Sequence, residues 1–456
     1  MQYASLLGHV EVVQFLSSTG AMLDSKDKVG WTPLISAAVN GKIDVVVELI
    51  SHGADVDIQS NDGDSALTLA ASGGHTDVVV ELVKVRAKLD LQNKDGDSAL
   101  ILAVRGSPYV AVVLTQSGAN LDLQNKDGDS ALITAASGGH TNVVIELVEE
   151  RAKLDLQNEE GDSALILAVK SGNTKVAVEL VKSGANLDLQ NNEGDSALML
   201  AAKSGVDDVV KKLVDADGNL DLQNIYGESA LMLAVTNGHI KVFVELMKAG
   251  ANFNLPNHYG DTALTLAATV GHTFVKELVS GAKLDVQNGD GDSALILAAR
   301  DGRTDVVKEL TEAGANLSLQ NNYGDTALML AVSFRHKDIV EELVDKGANF
   351  DLQNQDGDSA LILAVRSGHV IFVPKLIRAG ANLDLQNNEG DSAVIVAVME
   401  DEKNILRHLV RAGSDLNLQN QENLTAMMIA SRDGRTDIVY ILMRGERIGR
   451  DIQPGR

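Results

Sequence analysis

Variants of one segment, NKDGDSALILAV at residues 93–104, recur along almost the entire chain. Ten of the 12 intervals between equivalent turn positions are 33 residues long. A fixed period of this size indicates one supersecondary unit stacked many times, because a single copy cannot bury its apolar face alone. The sequence therefore predicts a solenoid. The turn positions are Gly30, Gly63, Gly96, Gly128, Gly161, Gly194, Gly227, Gly260, Gly291, Gly324, Gly357, Gly390 and, in the thirteenth place, Asn423.

The local signals within one repeat are illustrated by residues 158–190. Gly161 follows three polar residues and predicts a tight turn with positive φ. Ser163 precedes an apolar run and predicts the N-cap of a short first helix. A Ser-Gly-Asn break separates this helix from a second one, which Gly184 ends. The alternating residues 186–190 predict a short extended arm that leads to the next turn.

This order of helix, turn, helix and extended finger resembles the ankyrin repeat family. Its T-P-L-H-x-A-A-x-x-G signature is best approached by Thr-Pro-Leu-Ile-Ser-Ala-Ala at residues 32–38 with Gly41, and Gly-His pairs recur in later repeats. Elsewhere Ala replaces the Pro, and Ile, Met, Thr or Val replaces the His. The resemblance covers residues 1–445. It implies an all-α repeat solenoid, a curved stack of antiparallel helix pairs with short hairpin-like fingers.

Irregular positions define the predicted organisation. A partial repeat at residues 1–26 precedes seven repeats at 27–256, and six further repeats follow at 257–445, the last one capping the stack. The division after Pro256 is chosen because this proline replaces the usual finger Gln beside a repeat that has lost two residues. Residues 446–456 form a short tail that contains Arg.

Two further prolines test the helix assignment. Pro108 lies at the start of a second helix, where its missing N–H is harmless. Pro374 falls inside a second helix, where proline costs ~3 kcal/mol unless the helix starts late. We therefore predict a kink or a shortened helix near Val373.

Charge and composition exclude several kinds of partner. The net charge is −25, whereas nucleic acids and anionic membranes both require basic surfaces. The absence of Cys excludes disulfides and thiolate metal sites. The N-terminus has no basic signal-peptide region, and no apolar run approaches the ~20 residues of a membrane span. We expect a soluble, monomeric, intracellular and cytoplasmic chain without cofactor or membrane insertion, whose protein partner has a basic or polar surface.

Acidic residues follow the turn glycines and form a row that we call the acidic ladder. Next to the helix starts, these residues favour the positive ends of the helix dipoles. A second row of acidic residues, which we call the finger row, lies in the fingers. Because like charges stack in both rows, together they also create an acidic field. The acidic ladder comprises Asp64, Asp97, Asp129, Asp162, Asp195, Glu228, Asp261, Asp292, Asp325, Asp358 and Asp391. The finger row comprises Asp57, Asp90, Asp122, Asp155, Asp188, Asp221, Asp285, Asp351 and Asp384.

Neither the acids nor the histidines give a metal-site signature. The segment around Gly96 has Leu91 at the first ligand position of a calcium loop and lacks the closing Glu. Weak calcium association with the acidic ladder stays open at this point. Seven of the ten His occupy one repeat position, where successive layers stand about 10 Å apart, too far for one ion at a Zn–N distance of about 2 Å. We expect a structural role for these turn residues. They are His9, His75, His140, His239, His272, His336 and His369.

Aromatic residues at fingertips are the candidate protein-binding residues. Tyr226, Tyr259 and Tyr323 stand directly before turn glycines, where other repeats have Asp, Glu or Val. Exposed Tyr on a rigid element favours a binding hot spot, and covering a neighbouring finger is the alternative role. Ile225 and His258 adjoin the first two, Phe334 lies at an inner helix end, and Trp31 is either a contact residue or a packing residue in its turn. These seven are Ile225, Tyr226, His258, Tyr259, Tyr323, Phe334 and Trp31.

No nucleophile elbow, phosphate loop or H-E-x-x-H motif is present, so the sequence offers no catalytic site. The resemblance implies a non-catalytic scaffold that binds another protein through fingertips and a concave groove. The alternative is a structural or spacer segment of a larger multidomain protein, which Met1 inside a repeat favours.

Overall fold

The computed structural model describes the backbone of residues 1–451 and the side chains of residues 1–445. Within these residues the protein is an all-α repeat solenoid of 28 helices, as predicted. The first helices of successive pairs are α1 Gln2–Leu7, α3 Pro33–Val39, α5 Ala66–Ser72, α7 Ala99–Gly106, α9 Ala131–Ser137, α11 Ala164–Lys170, α13 Ala197–Ser204, α15 Ala230–Thr236, α17 Ala263–Val270, α19 Ala294–Arg300, α21 Ala327–Ser333, α23 Ala360–Arg366, α25 Ala393–Met399 and α27 Ala426–Arg432.

The second helices of the pairs are longer in most repeats. They are α2 Val10–Ser18, α4 Ile43–Ser51, α6 Thr76–Lys84, α8 Pro108–Gln116, α10 Thr141–Glu149, α12 Thr174–Lys182, α14 Asp207–Asp215, α16 Ile240–Lys248, α18 His272–Leu278, α20 Thr304–Glu312, α22 Lys337–Asp345, α24 Val373–Ala379, α26 Lys403–Ala412 and α28 Thr436–Asp451. The last helix extends beyond residue 445, where we predicted the final repeat to end.

The chain divides into two compact units. The first contains Met1–Leu233 and Val244–Ala251, and the second contains Ala234–Phe243 and the described residues from Asn252 onward. The boundary predicted at residues 256–257 lies close to that second starting point. The finer division into single repeats stays a prediction.

The residues 161–166 show why each first helix starts where it does. Gly161 has φ 76°, and a Cβ there would lie 2.8 Å from the backbone nitrogen of Asn192 in the next finger. Glycine is therefore required both by conformation and by close approach. Ser163 then caps α11 by accepting a hydrogen bond from the Ile166 N–H at 3.3 Å.

Each repeat buries small and branched apolar side chains on both helices. In α11 Leu165 and Ala168 are buried, and in α12 Val176 and Leu180 are buried. Helix α11 packs against α12 in its own pair and against α9 and α13 in the neighbouring pairs. Because Ala168 is fully buried, its small side chain permits this close layering.

The predicted helix irregularities are confirmed at both prolines. Pro108 is the first residue of α8. Helix α24 starts only at Val373 and has 7 residues, so Pro374 lies in its first turn, where its missing N–H breaks no helical bond. The structure thus shows the shortened helix rather than a kink.

The fingers are held by hydrogen bonds rather than by a regular sheet. The extended arm predicted at residues 186–190 contains a turn at residues 187–188, and Gln190 forms a single antiparallel bridge with Ser196. The bridges found within the described residues are isolated ones of this kind. The prediction of a hairpin-like finger is confirmed, but the arm is too short and too bent to form a strand.

In most fingers one Asn joins the turn to the preceding repeat. The Asn191 Oδ1 accepts hydrogen bonds from the N–H groups of Glu193 at 3.1 Å and Asp195 at 2.9 Å. Its Nδ2 donates to the Asp162 Oδ1 of the preceding finger at 2.9 Å. The same arrangement recurs in both units, for example from Asn354 to Asp325 at 3.0 Å. A single side chain therefore fixes one turn and attaches it to the preceding one.

A finger Gln provides a second series of bonds between repeats. The Gln157 Nε2 donates to the Gly161 carbonyl at 2.5 Å and to the Gln190 carbonyl of the next repeat at 2.9 Å. The Gln190 amide repeats this pattern toward Gln223 at 2.9 Å. Because the donors and acceptors are backbone and amide groups, this series leaves the fingertip side chains free for other contacts.

We expect Asn191→Ala to lower the free energy of unfolding by about 2–3 kcal/mol, because turn N–H groups lose their acceptor and the buried Asp162 Oδ1 loses its donor. Urea unfolding followed by circular dichroism measures this change. Asn192→Ala is the matched control, because Asn192 is exposed and donates one bond, to the Glu159 carbonyl at 2.8 Å. Equal losses in the two variants would contradict the assigned role of Asn191.

Candidate protein-binding surface

Two tyrosines of the second unit stand on fixed backbone and project from the fingertips. The Tyr259 carbonyl accepts a hydrogen bond from the Gly289 N–H at 2.6 Å, and the Tyr323 carbonyl accepts one from the Gln355 N–H at 2.9 Å. The Tyr323 N–H donates to Asn321 Oδ1 at 3.0 Å. Both tyrosine side chains nevertheless remain 65% exposed. Their backbones are held by hydrogen bonds while their rings are exposed to solvent.

Phe334 and His258 are the other candidates in the second unit. Phe334 follows α21 directly as its C-cap residue and is 53% exposed. Its ring stacks on His336, with ring centroids 6.4 Å apart and an interplanar angle of 21°. His258 is exposed beside Tyr259. Phe334 thus adds an apolar surface at the end of a first helix.

The remaining candidates lie in the first unit. Ile225 is 53% exposed and Tyr226 is 50% exposed, and the Tyr226 N–H donates to Asn224 Oδ1 at 3.0 Å. Trp31 differs from them because it is half-buried in the N-terminal finger. The backbone N–H of Trp31 donates to Asp27 Oδ1 at 2.8 Å, and its backbone carbonyl accepts from Gln2 Nε2 at 2.7 Å.

The acidic ladder has a second geometric role besides accepting from the finger Asn. In some repeats the carboxylate also pairs with a basic residue eight positions later, at the end of the first helix. The N···O distances of these pairs are between 2.8 and 3.0 Å. Hydrogen bonding to Asp162 raises the pKa of Lys170. The pairs are Arg105–Asp97, Lys170–Asp162, Arg300–Asp292 and Arg366–Asp358.

Asp325 has Ser333 in the place of that basic residue. The pKa of Asp325 is raised, chiefly by burial and also by the negative charges of Asp356 and Asp292. The hydrogen bond from Asn354 lowers the pKa but does not offset these effects. Between the unfolded and folded pKa values the folded chain binds more protons. The contribution of Asp325 to the free energy of unfolding therefore falls as pH rises through that window. Burial also raises the pKa values of Asp64 and Asp391.

The finger row of acids also joins neighbouring repeats. The Asp155 Oδ1 accepts from the Asn186 N–H at 2.8 Å, and the Asp285 Oδ1 accepts from the Asn316 N–H at 2.9 Å. Sequence reasoning missed these inter-repeat bonds in both rows. One signal was present: where Trp31 replaces the ladder acid, Ser60 replaces the Asn of the next finger.

Turn histidines bind carbonyl groups of the preceding repeat. The His75 Nε2 lies 3.1 Å from the Val39 carbonyl oxygen, and the His336 Nε2 lies 3.0 Å from that of Arg300. These contacts give His75 and His336 the structural role expected from their spacing, whereas the His272 Nε2 lies 3.2 Å from the Glu309 carboxylate of the following repeat. Among the side chains of residues 1–445, no cluster of three or more His, Cys, Asp or Glu has the geometry to hold a metal ion.

Helix pairs stacked through polar fingers define a repeat protein of the solenoid class. A family model for ankyrin repeats, each match covering three copies, aligns with overlapping segments that together span residues 1–453. The chain therefore belongs to the ankyrin-repeat family, whose repeats are generally protein-interaction scaffolds and typically not catalytic. A search of curated proteins found no match. Within residues 1–451 no helix combines the length and apolar character needed to cross a membrane.

We expect Ser333→Arg to raise the free energy of unfolding near neutral pH by about 0.5 kcal/mol, because it supplies Asp325 with the cation that Arg300 and Arg366 supply in adjacent repeats. Thermal unfolding across a pH series measures this change. The stability lost as pH rises should also become smaller. Arg366→Ser is the reciprocal control and should lower stability. A gain that does not depend on pH would contradict pairing with Asp325.

Proposed function

We propose that this chain is a non-catalytic scaffold that binds another protein through the fingertips and first-helix ends of its second unit. The observation that carries the proposal is the pair Tyr259 and Tyr323, each 65% exposed on a hydrogen-bonded finger. Rings on a rigid backbone contribute contact area with little loss of conformational entropy on binding. Phe334 extends the apolar part of this surface.

The fingertips of the second unit alternate in chemistry. The residues before four successive turn glycines are Tyr259, Asp290, Tyr323 and Asp356, and all four are exposed. Layers of packed helices stand about 10 Å apart, so an aromatic and an acidic group alternate at this spacing. This pattern suits a partner surface that alternates apolar and basic groups. The general expectation of a basic or polar partner thus becomes the expectation of a partner surface with alternating apolar and basic groups.

The first unit offers a separate contact at Ile225 and Tyr226, both half-exposed. We assign it a secondary role in the same scaffold function, because it is one fingertip rather than an alternating series. In this proposal the chain acts without a cofactor, as a cytoplasmic monomer.

Site-specific photo-crosslinking tests the assigned surface. Benzoylphenylalanine at position 259 or 323 should yield a crosslinked partner in cell extract, and the same group at position 109 should not. Tyr109 is a matched control because it is 68% exposed but lies on α8, a second helix. Equal crosslinking at all three positions would contradict a fingertip surface and favour a structural spacer.

We expect the double variant Tyr259→Ala and Tyr323→Ala to bind the captured partner about thirtyfold more weakly, since two hot-spot rings contribute about 2 kcal/mol or more to the binding free energy. Isothermal titration calorimetry with the purified partner measures the affinity. Melting curves should stay unchanged, because both rings project into solvent. Tyr109→Ala should leave the affinity within about twofold of the original, and Tyr226→Ala reports on the first unit. Unaltered affinity in the double variant would refute the surface.

A further inference from the structure

The negative charge is distributed unevenly along the chain. Residues 366–456 contain 12 basic and 12 acidic residues, so residues 1–365 carry the entire net charge of −25. Within the balanced segment several arginines occur on the second helices. The electrostatic potential is therefore negative over most of the chain but locally positive at the second helices of this segment.

Helices α26 and α28 enclose a groove of about 750 Å³ on the second-helix side of the last two pairs. Arg407 and Arg411 lie one turn apart on α26, and Tyr440 and Arg444 lie one turn apart on α28. The Arg444 guanidinium carbon stands 5.3 Å from the centre of the Tyr440 ring. Such stacking leaves guanidinium N–H groups available to a ligand in the plane of the group.

The three arginines lack counter-ions within the described side chains. Arg407 donates to the neutral Asn404 Oδ1 at 2.9 Å, and none of the three forms an ion pair with residues 1–445. Asp437 also lines the groove, but its carboxylate pairs with Lys403 at 2.6 Å. Among the side chains of residues 1–445, the three arginines of the groove therefore carry positive charges that no ion pair compensates.

Apolar side chains lie between these charges. Val410 and Ile441 line the groove and are half-buried, and the exposed ring of Tyr440 lies beside them. The close approach of α28 to α26 is set by Gly445, where an added Cβ would meet the Val410 side chain at less than van der Waals distance. Charges beside an apolar strip match an amphipathic ligand rather than a free ion.

We propose that this groove binds a short acidic peptide segment of another protein, with its carboxylates on Arg407, Arg411 and Arg444 and its apolar side chains on Val410, Tyr440 and Ile441. A peptide is favoured over a nucleic acid or a membrane, because a long polyanion or an anionic surface would also meet the acidic remainder of the chain. Arginine forks suit carboxylates because two parallel N–H bonds match the two oxygens. This site is separate from the fingertip surface.

Fluorescence anisotropy with the full chain tests the groove. The probe is a fluorescein-labelled peptide in which Glu alternates with Leu, and its control has Gln in place of each Glu. We expect the Glu peptide to bind, the Gln peptide not to bind, and added salt to weaken the complex. The double variant Arg407→Gln and Arg411→Gln should bind the Glu peptide at least about tenfold more weakly.

A charge-matched control separates local contacts from the overall field. Lys175→Gln with Lys211→Gln removes two exposed cations from second helices of the first unit and should change the affinity by less than about twofold. Circular dichroism melting verifies that each variant folds. Equal weakening by the two double variants, or no binding by the Glu peptide, would overturn the proposal. Tighter binding of a single-stranded oligonucleotide of equal charge would assign the groove to nucleic acid instead.

Discussion

The hydrogen bond from the finger Asn to the ladder Asp of the preceding repeat, which most repeats share, is the interaction on which the fingers depend. Asn191 holds its own turn through Oδ1 and reaches Asp162 through Nδ2, so turn formation and stacking are coupled in one side chain. Apolar helix layers alone would leave these irregular turns with unpaired buried N–H groups, which cost free energy. The Asn191 Oδ1 satisfies such N–H groups, and the bond from its Nδ2 to Asp162 sets the register between neighbouring fingers.

This arrangement explains how the fingertips are free to vary. The Tyr323 backbone is bonded to Gln355 and Asn321, and the equivalent backbone positions in other repeats are bonded in the same way whatever side chain they carry. Ring or carboxylate at this position therefore changes the surface without changing the fold. The finger backbone is held by Asn, Asp, Gln and Gly, which is why we propose that binding specificity depends on the residue before the turn glycine.

The period predicted the helix pairs, the capping Ser and the turn glycines, because these depend on residues close in sequence. The Asn–Asp bonds escaped prediction because their partners are about 30 residues apart and meet only when repeats stack. The available signal was that both partners are replaced together, the ladder acid by Trp31 and the Asn of the next finger by Ser60. The groove beside Arg407 was also missed, because it depends on the course of α28, where Gly445 serves close packing against Val410 rather than ending the helix.

Many of the acidic residues take part in bonds between repeats, which reduces the number of acids that a partner could contact. Ladder acids such as Asp292 accept from Asn321 and pair with Arg300, and finger acids such as Asp285 accept backbone N–H groups, so much of the negative charge is engaged in stacking. On the proposed surface a partner would meet chiefly the fingertip acids, among them Asp290 and Asp356, whose neighbouring fingertips carry tyrosines. The proposal therefore implies recognition by aromatic contact as well as by charge, and we expect moderate salt to weaken binding less than the net charge of −25 suggests.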